Sequence, residues 1–294
     1  MLTTLEPMLR FFEIERDPFA PTADPDFFYF TIEYERCIYG LKRSIDARYG
    51  IVLILGSYGT GKTSLMRALL SHISRRNETY QTAIVSSPNP EWTSTCLMEA
   101  ICEQFRIAVP PGASLHQYQN IFNRFLYENR NRVNTLIFDD AQNLERREHI
   151  EILRLLQNLE SPQHKLLNVV LFGQLELIPL IKSHPNFEQR VNNAFVLDAL
   201  SFDDMKAMIR YRLAKAGYPS GKELFEEESC QAIYEYTAGV PRDTVTLCRN
   251  SMMVAHRIQK DKIPVSIVHY AVNNTMAKGL FSSPMVASAA ETDG

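Results

Sequence analysis

The sequence predicts an α/β fold, in which helices flank a parallel central sheet, followed by a small all-helical domain. Short apolar runs alternate with amphipathic helical patterns through most of the chain, an order typical of parallel strands joined by right-handed crossovers. A glycine-rich loop lies between the first apolar run and the helical pattern after it. From Ser201 onward the helical patterns continue, whereas strand patterns do not.

The composition is that of an ordinary globular protein. Of 294 residues, 45% are hydrophobic and 22% are charged, with a formal net charge of -3. These values exclude a disordered or collagen-like chain and give no bulk attraction to DNA or anionic membranes. The five cysteines form no CxxC pair, so we expect reduced, mostly buried thiols in a cytoplasmic protein. The apolar runs are much shorter than the ~20 residues of a membrane span, and we expect none.

Four segments are predicted along the chain. Residues 1–31 are rich in Pro, Phe and Asp, and because proline and the residue before it favour extended backbone, we expect an extended N-terminal arm. Residues 32–200 form the α/β domain. Residues 201–281 form the helical domain, which begins with Ser201 as a helix N-cap. The tail 282–294 lacks periodicity, so we expect it to be disordered.

The predicted strands are short runs of mostly apolar residues, expected to be buried on both faces where the run is continuous. They are Ile51–Leu55, Thr82–Val85, Thr135–Phe138, Asn168–Phe172 and Ala194–Leu197. Helical patterns lie between them at 32–49, 65–73, 94–105, 116–129 and 149–159. The helical domain carries four more, at 205–213, 224–237, 242–259 and 265–277.

The most specific motif is the glycine-rich loop between the first strand and the next helix. It matches the pattern G-x-x-x-x-G-K-[ST]. Such glycines let successive backbone N–H groups turn inward to bind phosphates, and the helix N-terminus adds positive potential. We expect Lys62 to contact the β- and γ-phosphates of a nucleotide and the Thr63 hydroxyl to ligate Mg²⁺. The predicted phosphate-binding residues are Gly56, Gly59, Thr60, Gly61, Lys62, Thr63 and Ser64.

A second motif is the pair Asp139-Asp140 at the end of the third predicted strand. An apolar strand that ends in a carboxylate, downstream of a phosphate loop, is typical of the Walker B motif. We expect Asp139 to hold Mg²⁺ and Asp140 to polarise the attacking water, with Gln142 and Glu145 as the next candidates for that second role. By itself, the same pair would also fit an Asp-Asp turn after a buried strand.

Three further polar residues stand at the ends of predicted elements. Gln174 follows the fourth strand. Because ligands bind at the carboxyl ends of parallel strands, we expect its side chain to contact either the γ-phosphate or the attacking water. The alternative is that Gln174 caps a helix. Arg190 precedes the last strand, and Arg242 begins a helix of the second domain. Isolated arginines are most often solvated, so position alone assigns these two no role.

Together these motifs resemble an AAA+ P-loop ATPase, and more narrowly the ExeA/GspA family of secretion-associated ATPases. The similarity extends over most of the chain, and the helical domain corresponds to the AAA+ lid. The resemblance implies ATP and Mg²⁺ as ligands and a homo-oligomer as the active form. It implies Gln174 as sensor 1, Arg190 as an arginine finger acting on a neighbouring subunit, and Arg242 as sensor 2. The segments that carry it are Asp17-Pro18-Phe19, Asp24-Pro25-Asp26-Phe27-Phe28-Tyr29, Asp139-Asp140-Ala-Gln-Asn-Leu144, Leu171-Phe-Gly-Gln174-Leu-Glu-Leu177 and Gly239-Val-Pro-Arg242.

The chain departs from the ExeA/GspA pattern in two ways. The family usually has Glu at the position of Asp140, and an acid one methylene shorter lies ~1 Å further from the water, which can lower the rate about 100-fold. We therefore expect slow hydrolysis, or as an alternative a nucleotide-dependent scaffold that does not hydrolyse ATP. Membrane-anchored members continue into a transmembrane helix and a peptidoglycan-binding domain, and we expect neither in these 294 residues.

Two cellular roles stay open. The first is an ATPase that drives or regulates assembly of a secretion or surface-export apparatus, with a protein of that apparatus as its client. The second follows from a wider similarity to transposition regulators of the MuB/TnsC/TniB kind, with a transposase and double-stranded DNA as partners. A basic helix face would support contact with DNA, and four residues of the helical domain are candidates for it: Arg242, Arg249, His256 and Lys260.

Overall fold

The computed structural model describes residues 5–73 and 78–275. Contacts divide the chain into two units. The sheet unit is Ala23–Asp198, and the helical unit combines Met1–Thr22 with Ala199–Gly294. Among the described residues, no helix is both long enough and apolar enough to cross a membrane.

The sheet unit is built on five parallel strands, which confirms the predicted α/β fold with a parallel sheet. The strands are β1 (Ile51–Gly56), β2 (Tyr80–Ser86), β3 (Val133–Asp139), β4 (Asn168–Gly173) and β5 (Val191–Leu197). Their order across the sheet is β2-β3-β4-β1-β5. Every predicted strand lies within an observed one.

The described helices are numbered along the chain, and the helical patterns of the sequence coincide with nine of them. They are α1 (Leu5–Phe11), α2 (Ile32–Asp46), α3 (Lys62–Ile73), α4 (Ser94–Gln104), α5 (Leu115–Glu128), α6 (Arg147–Leu156), α7 (Leu177–Lys182), α8 (Pro185–Glu188), α9 (Phe202–Lys215), α10 (Glu227–Thr237), α11 (Pro241–Arg257) and α12 (Val265–Thr275). Three short helices, α1, α7 and α8, have no counterpart among those patterns.

Both faces of the sheet are covered, and this explains the unbroken apolar runs. All residues of β1, β3 and β4 are buried, as expected for strands with helices on both sides. One face packs on α4, α5 and α6 in the main hydrophobic core. The other face meets α2, where Gly40 lies so close to the Phe195 ring that an added Cβ would come within 2.5 Å of it.

The parallel arrangement brings the carboxyl ends of the strands to one edge of the sheet. In register, Ser86 of β2 pairs with Asp139 of β3, and Leu55 of β1 pairs with Gly173 of β4. The loops that follow β1, β2, β3 and β4 therefore emerge next to each other. The residues that precede the strands lie at the opposite, amino edge.

The helical unit contains α1 and α9–α12. Helix α9 begins where predicted, because the Ser201 hydroxyl accepts a hydrogen bond from the Asp204 N–H at 3.1 Å. Residues 5–22 pack with these helices through Asp17-Pro18-Phe19. The Asp17 carboxylate accepts from the Phe19 N–H at 2.9 Å and from Arg249 Nε at 3.0 Å. The fully buried Phe19 ring packs edge-on against Phe225.

The extended conformation predicted for the whole arm is wrong, and the candidate basic face holds only in part. Leu5–Phe11 is helical and not extended, because Pro7 falls in the first helical turn, where a missing N–H is tolerated. The predicted basic face is interrupted: Arg249 is paired with Asp17, His256 packs on Phe11, and Lys260 lies beyond the end of α11. The predicted disordered tail lies outside the described residues.

We expect Asp17→Ala to lower the free energy of unfolding by about 1–3 kcal/mol, because it removes one partner of a largely buried, charge-assisted hydrogen bond. The Asp17 side chain is 8% exposed and that of Arg249 is 35% exposed. Urea unfolding of the purified protein measures the change, with Asp261→Ala at an exposed position of the same unit as the control. Equal midpoints for the two variants would show that Asp17 contributes nothing to stability.

Candidate nucleotide-binding site

The loop between β1 and α3 has the backbone conformation of a phosphate-binding loop. Gly59 and Gly61 have φ angles of +83° and +90°, in the left-handed region where a side chain would be strained. This conformation turns successive N–H groups toward a common point. The loop begins at Gly56, the last residue of β1, and ends in the first turn of α3.

Neighbouring hydroxyl groups hold the loop in place. Thr60 is buried, and its hydroxyl donates to the Ser57 carbonyl at 2.9 Å. The Tyr34 hydroxyl, on α2, donates to the Thr60 carbonyl at 2.8 Å. Phe28 packs against the Tyr34 ring, with centroids 5.1 Å apart. The segment before α2 therefore supports the loop from one side.

Lys62 is buried at the start of α3 and folds back over the loop. Its Nζ donates to the Gly56 and Ser57 carbonyls, each at 2.8 Å. Burial lowers the pKa of the Lys62 ammonium, and the carboxylates of Asp140, Asp139 and Glu176 oppose this shift. The ammonium thus lies among the carboxylates at the carboxyl edge of the sheet.

The first turn of α3 supplies a hydroxyl next to a carboxylate. The Thr63 hydroxyl donates to Asp139 Oδ2 at 3.0 Å, and Ser64 follows in the same turn. N–H groups in a first helical turn have no carbonyl acceptor within the helix, which suits them to anions. A hydroxyl and a carboxylate are the oxygen ligands that Mg²⁺ prefers. Thr63 and Asp139 therefore fit a magnesium ion bound with a nucleotide.

Asp139 is itself buried at the end of β3, with only 8% of its surface exposed. Burial raises the pKa of its carboxyl group, and the hydrogen bond from Thr63 partly offsets that shift. The negative charge of Asp140 raises the pKa further. A cation at this position would relieve both destabilising effects.

Asp140 adopts a left-handed conformation, with φ 55° and ψ 43°, which aspartate tolerates better than most residues. Each of its two carboxylate oxygens accepts a hydrogen bond from a neighbouring side chain. The Ser87 hydroxyl donates to Oδ2 at 2.7 Å, and the Gln142 amide donates to Oδ1 at 3.2 Å. The carboxylate is therefore fixed in orientation beside Lys62.

Gln174 follows β4 at the same edge, where its backbone N–H donates to Gln142 Oε1 at 3.1 Å. Gln174 also lies at the start of the next helix, α7, where its carbonyl oxygen accepts a hydrogen bond from the Leu177 N–H at 3.1 Å. Gly173 precedes it, and an added Cβ there would lie 3.5 Å from the Gln142 nitrogen. The ends of β3 and β4 thus approach each other closely.

Arg190 lies at the opposite edge of the sheet. It precedes Val191, which pairs with Ile51 at the start of β1, whereas Gly56 at the end of β1 pairs with Leu197. A strand of this length spans ~20 Å. Arg190 Nη2 donates to Asn158 Oδ1 at 2.7 Å, and its buried Nε has no hydrogen-bond partner among the described residues.

Arg242 belongs to the helical unit. It follows Pro241 in the first turn of α11, and its side chain is exposed. The sheet unit thus brings together the loop residues, Thr63, Asp139, Asp140 and Gln174, but not Arg190 or Arg242.

Two contributors to the site were not predicted from the sequence. Ser87 follows β2 and binds Asp140, and Tyr34 binds the loop at Thr60. The signal for Ser87 was its place after a predicted strand, since the carboxyl ends of all parallel strands meet at one edge. Tyr34 has no comparable signal, because its contact depends on how α2 packs.

Comparisons with known proteins agree with this architecture. Residues 45–181 match the family model of an AAA domain. The chain is 28% identical to General secretion pathway protein A of Aeromonas hydrophila over 288 residues, which cover 96% of this chain and 51% of that protein. The chain therefore spans about half the length of this curated relative.

Solved structures share the fold at low sequence identity. Cdc6p from Pyrobaculum aerophilum superposes with a TM-score of 0.69 at 20% identity, covering 88% of this chain and 71% of that one. A chain of Drosophila ORC bound to DNA superposes with a TM-score of 0.68 at 16% identity, covering 92% and 66%. Residues 45–181 thus match an AAA domain, the fold agrees with that match, and the chain as a whole resembles General secretion pathway protein A.

Proposed function

We propose that this chain binds ATP with Mg²⁺ and hydrolyses it slowly. The observation that carries the proposal is the hydrogen bond between Thr63 and Asp139 beside the phosphate-binding loop, because it joins the two predicted magnesium ligands. The loop N–H groups and Lys62 would bind the phosphates. Bound Mg²⁺ would neutralise charge on the β- and γ-phosphates.

The chain's own residues account for the remaining requirements of hydrolysis. Water attacks the γ-phosphorus while the bond to the bridging oxygen breaks, giving ADP and phosphate. Asp140 would orient that water and accept its proton, and the Gln174 side chain would contact the γ-phosphate or the water. The cost of the short Asp140 side chain makes turnover slow.

The site is completed by a neighbouring subunit in this proposal. Arg190 is separated from the loop of its own chain by the length of the sheet, so it can serve only the nucleotide of another copy. Arg242 would contact the nucleotide as a sensor from the helical unit. Nucleotide-dependent oligomerisation is therefore part of the proposed activity.

The proposed cellular role is to drive or regulate assembly of a secretion or surface-export apparatus from the cytoplasm. Support comes from the similarity to General secretion pathway protein A, which extends over nearly all of this chain. The client would be a protein of that apparatus. Electron microscopy with ATP, with and without double-stranded DNA, tests this role against the alternative of a transposition regulator.

The structure weakens the argument for DNA contact, because Arg249 and His256 are occupied by Asp17 and Phe11. The likeness to ORC and Cdc6 proteins concerns the fold alone. Oligomers that form with ATP and are unchanged by DNA support the secretion role, whereas filaments that need DNA support the alternative.

The two aspartates should separate by role. We expect Asp139→Ala to weaken Mg²⁺-dependent ATP binding, because it removes a magnesium ligand. We expect Asp140→Ala to bind ATP but to lose about 100–10,000-fold in turnover, because it removes the group that takes the proton. Titration of a fluorescent ATP analogue with and without Mg²⁺ measures the first effect, and steady-state phosphate release measures the second.

Asp203→Ala, at a position in the helical unit, is the control for both measurements. Turnover of Asp140→Ala at the parental rate would remove Asp140 from the mechanism. A parental chain that binds ATP and releases no phosphate would instead establish a scaffold that does not hydrolyse.

A further inference from the structure

Gln142 connects the carboxylate of Asp140 to the end of β4. Its side-chain amide donates from Nε2 to Asp140 Oδ1 at 3.2 Å and accepts at Oε1 from the Gln174 N–H at 3.1 Å. Gln142 lies in a short 3₁₀ turn, Ala141–Asn143, directly after Asp140. One amide thus bridges the ends of two neighbouring strands.

The orientation of this amide follows from its partners. The Gln174 backbone N–H can only donate, so it requires the carbonyl oxygen of Gln142, and the NH₂ group then points to Asp140. A carboxylate, which only accepts, is the partner that an NH₂ group needs. Both ends of the amide are therefore satisfied, and a flipped amide would satisfy neither.

Gln142 and Ser87 hold the two oxygens of the same carboxylate. A carboxylate has about four lone-pair sites, and these two donors occupy one on each oxygen. The remaining sites stay available to a water molecule. Because Asp140 has only one methylene, its carboxylate has little reach of its own, and the surrounding donors decide where it points.

We propose that Gln142 is a positioning residue, which holds the Asp140 carboxylate in its working orientation and ties that orientation to the end of β4 at Gln174. The inference rests on the proposed role of Asp140 in hydrolysis. Gln142 itself contacts neither the nucleotide nor the water in this account. It acts through Asp140.

The first test is Gln142→Ala, measured by steady-state ATP turnover. We expect kcat to fall about 100-fold, the cost of a ~1 Å misplacement of a reacting group, with KM and ATP affinity unchanged. Gln163→Ala, the same change at an exposed glutamine, is the matched control. A variant that folds poorly would lose ATP affinity and melting temperature together with kcat. A variant that only mispositions Asp140 would lose kcat alone.

The second test is Gln142→Glu, which keeps the size of the side chain and its acceptor for the Gln174 N–H but faces Asp140 with a second carboxylate. At about pH 8 the like charges repel, so kcat should fall at least as far as in Gln142→Ala. A parental kcat in Gln142→Glu at this pH would overturn the inference.

Each outcome bears on one claim. If Asp140→Ala loses turnover but Gln142→Ala keeps the parental kcat, the positioning role is wrong and the proposed hydrolysis stands. A kcat that increases in Gln142→Ala would mean that the amide restrains Asp140, which also overturns the inference. If Asp140→Ala turns over at the parental rate, the proposed role of Asp140 falls, and the inference with it.

Discussion

Arg190→Ala should lower ATP turnover by about 10³–10⁵-fold, the range that an arginine finger supplies in phosphoryl transfer. Arg190 lies at the amino edge of the sheet, and the phosphate-binding loop lies ~20 Å away at the carboxyl edge. This distance excludes a contact between Arg190 and a nucleotide bound to the same chain. Specific activity should therefore increase with protein concentration.

Mixing two inactive variants tests the shared site directly. Arg190→Ala subunits retain an intact loop, and Lys62→Ala subunits retain Arg190, so mixed oligomers contain complete sites and should regain turnover. Arg124→Ala, which removes an exposed arginine paired with Glu128 on α5, should behave like the parent. If co-assembly is demonstrated and activity is not regained, Arg190 acts only within its own chain, through its hydrogen bond to Asn158.

Lys62→Ala should abolish stabilisation by ATP. A ligand at 100 times its Kd stabilises a protein by about 2.7 kcal/mol, which corresponds to an increase in Tm of about 5–10 °C for a chain of this size. The increase in Tm on adding ATP should be near zero in this variant, because the ammonium that we propose to contact the phosphates is gone. Differential scanning fluorimetry with Mg²⁺ and a non-hydrolysable ATP analogue measures both values.

The same lysine also contacts its own loop, through the Gly56 and Ser57 carbonyls, so the melting temperature without ATP must be compared as well. Lys182→Ala, at an exposed lysine on α7, should keep the parental increase. An undiminished ATP effect in Lys62→Ala would place the nucleotide elsewhere in the protein.

The parts of the fold that depend on local sequence could be predicted. A short aliphatic run that ends at a glycine, such as Ile51–Leu55, favours a strand buried on both faces. The phosphate-binding loop is a continuous stretch whose glycines determine its conformation. The helix α1 could not be predicted in the same way, because its seven residues carry too little periodicity and the prolines that follow favour extended backbone.

The network around Asp140 depends on the order of strands, which the sequence does not contain. Ser87, Gln142 and Gln174 follow three different strands, β2, β3 and β4, and they meet because these strands are neighbours in the sheet. The left-handed conformation of Asp140 likewise results from the turn after β3. Predicting the residues of this site was possible, whereas predicting their hydrogen bonds required the topology.

The packing of the first residues on the last helices has a consequence for biosynthesis. Asp17 and Arg249 are 232 residues apart, and a ribosome adding 5–20 residues per second needs about 10–50 s to make the chain between them. The sheet unit is complete within Ala23–Asp198 and is free to fold during that time. Phe19 has to wait for Phe225, so the nascent chain exposes this apolar segment until the later helices have been made, and chaperones would meet it during that time.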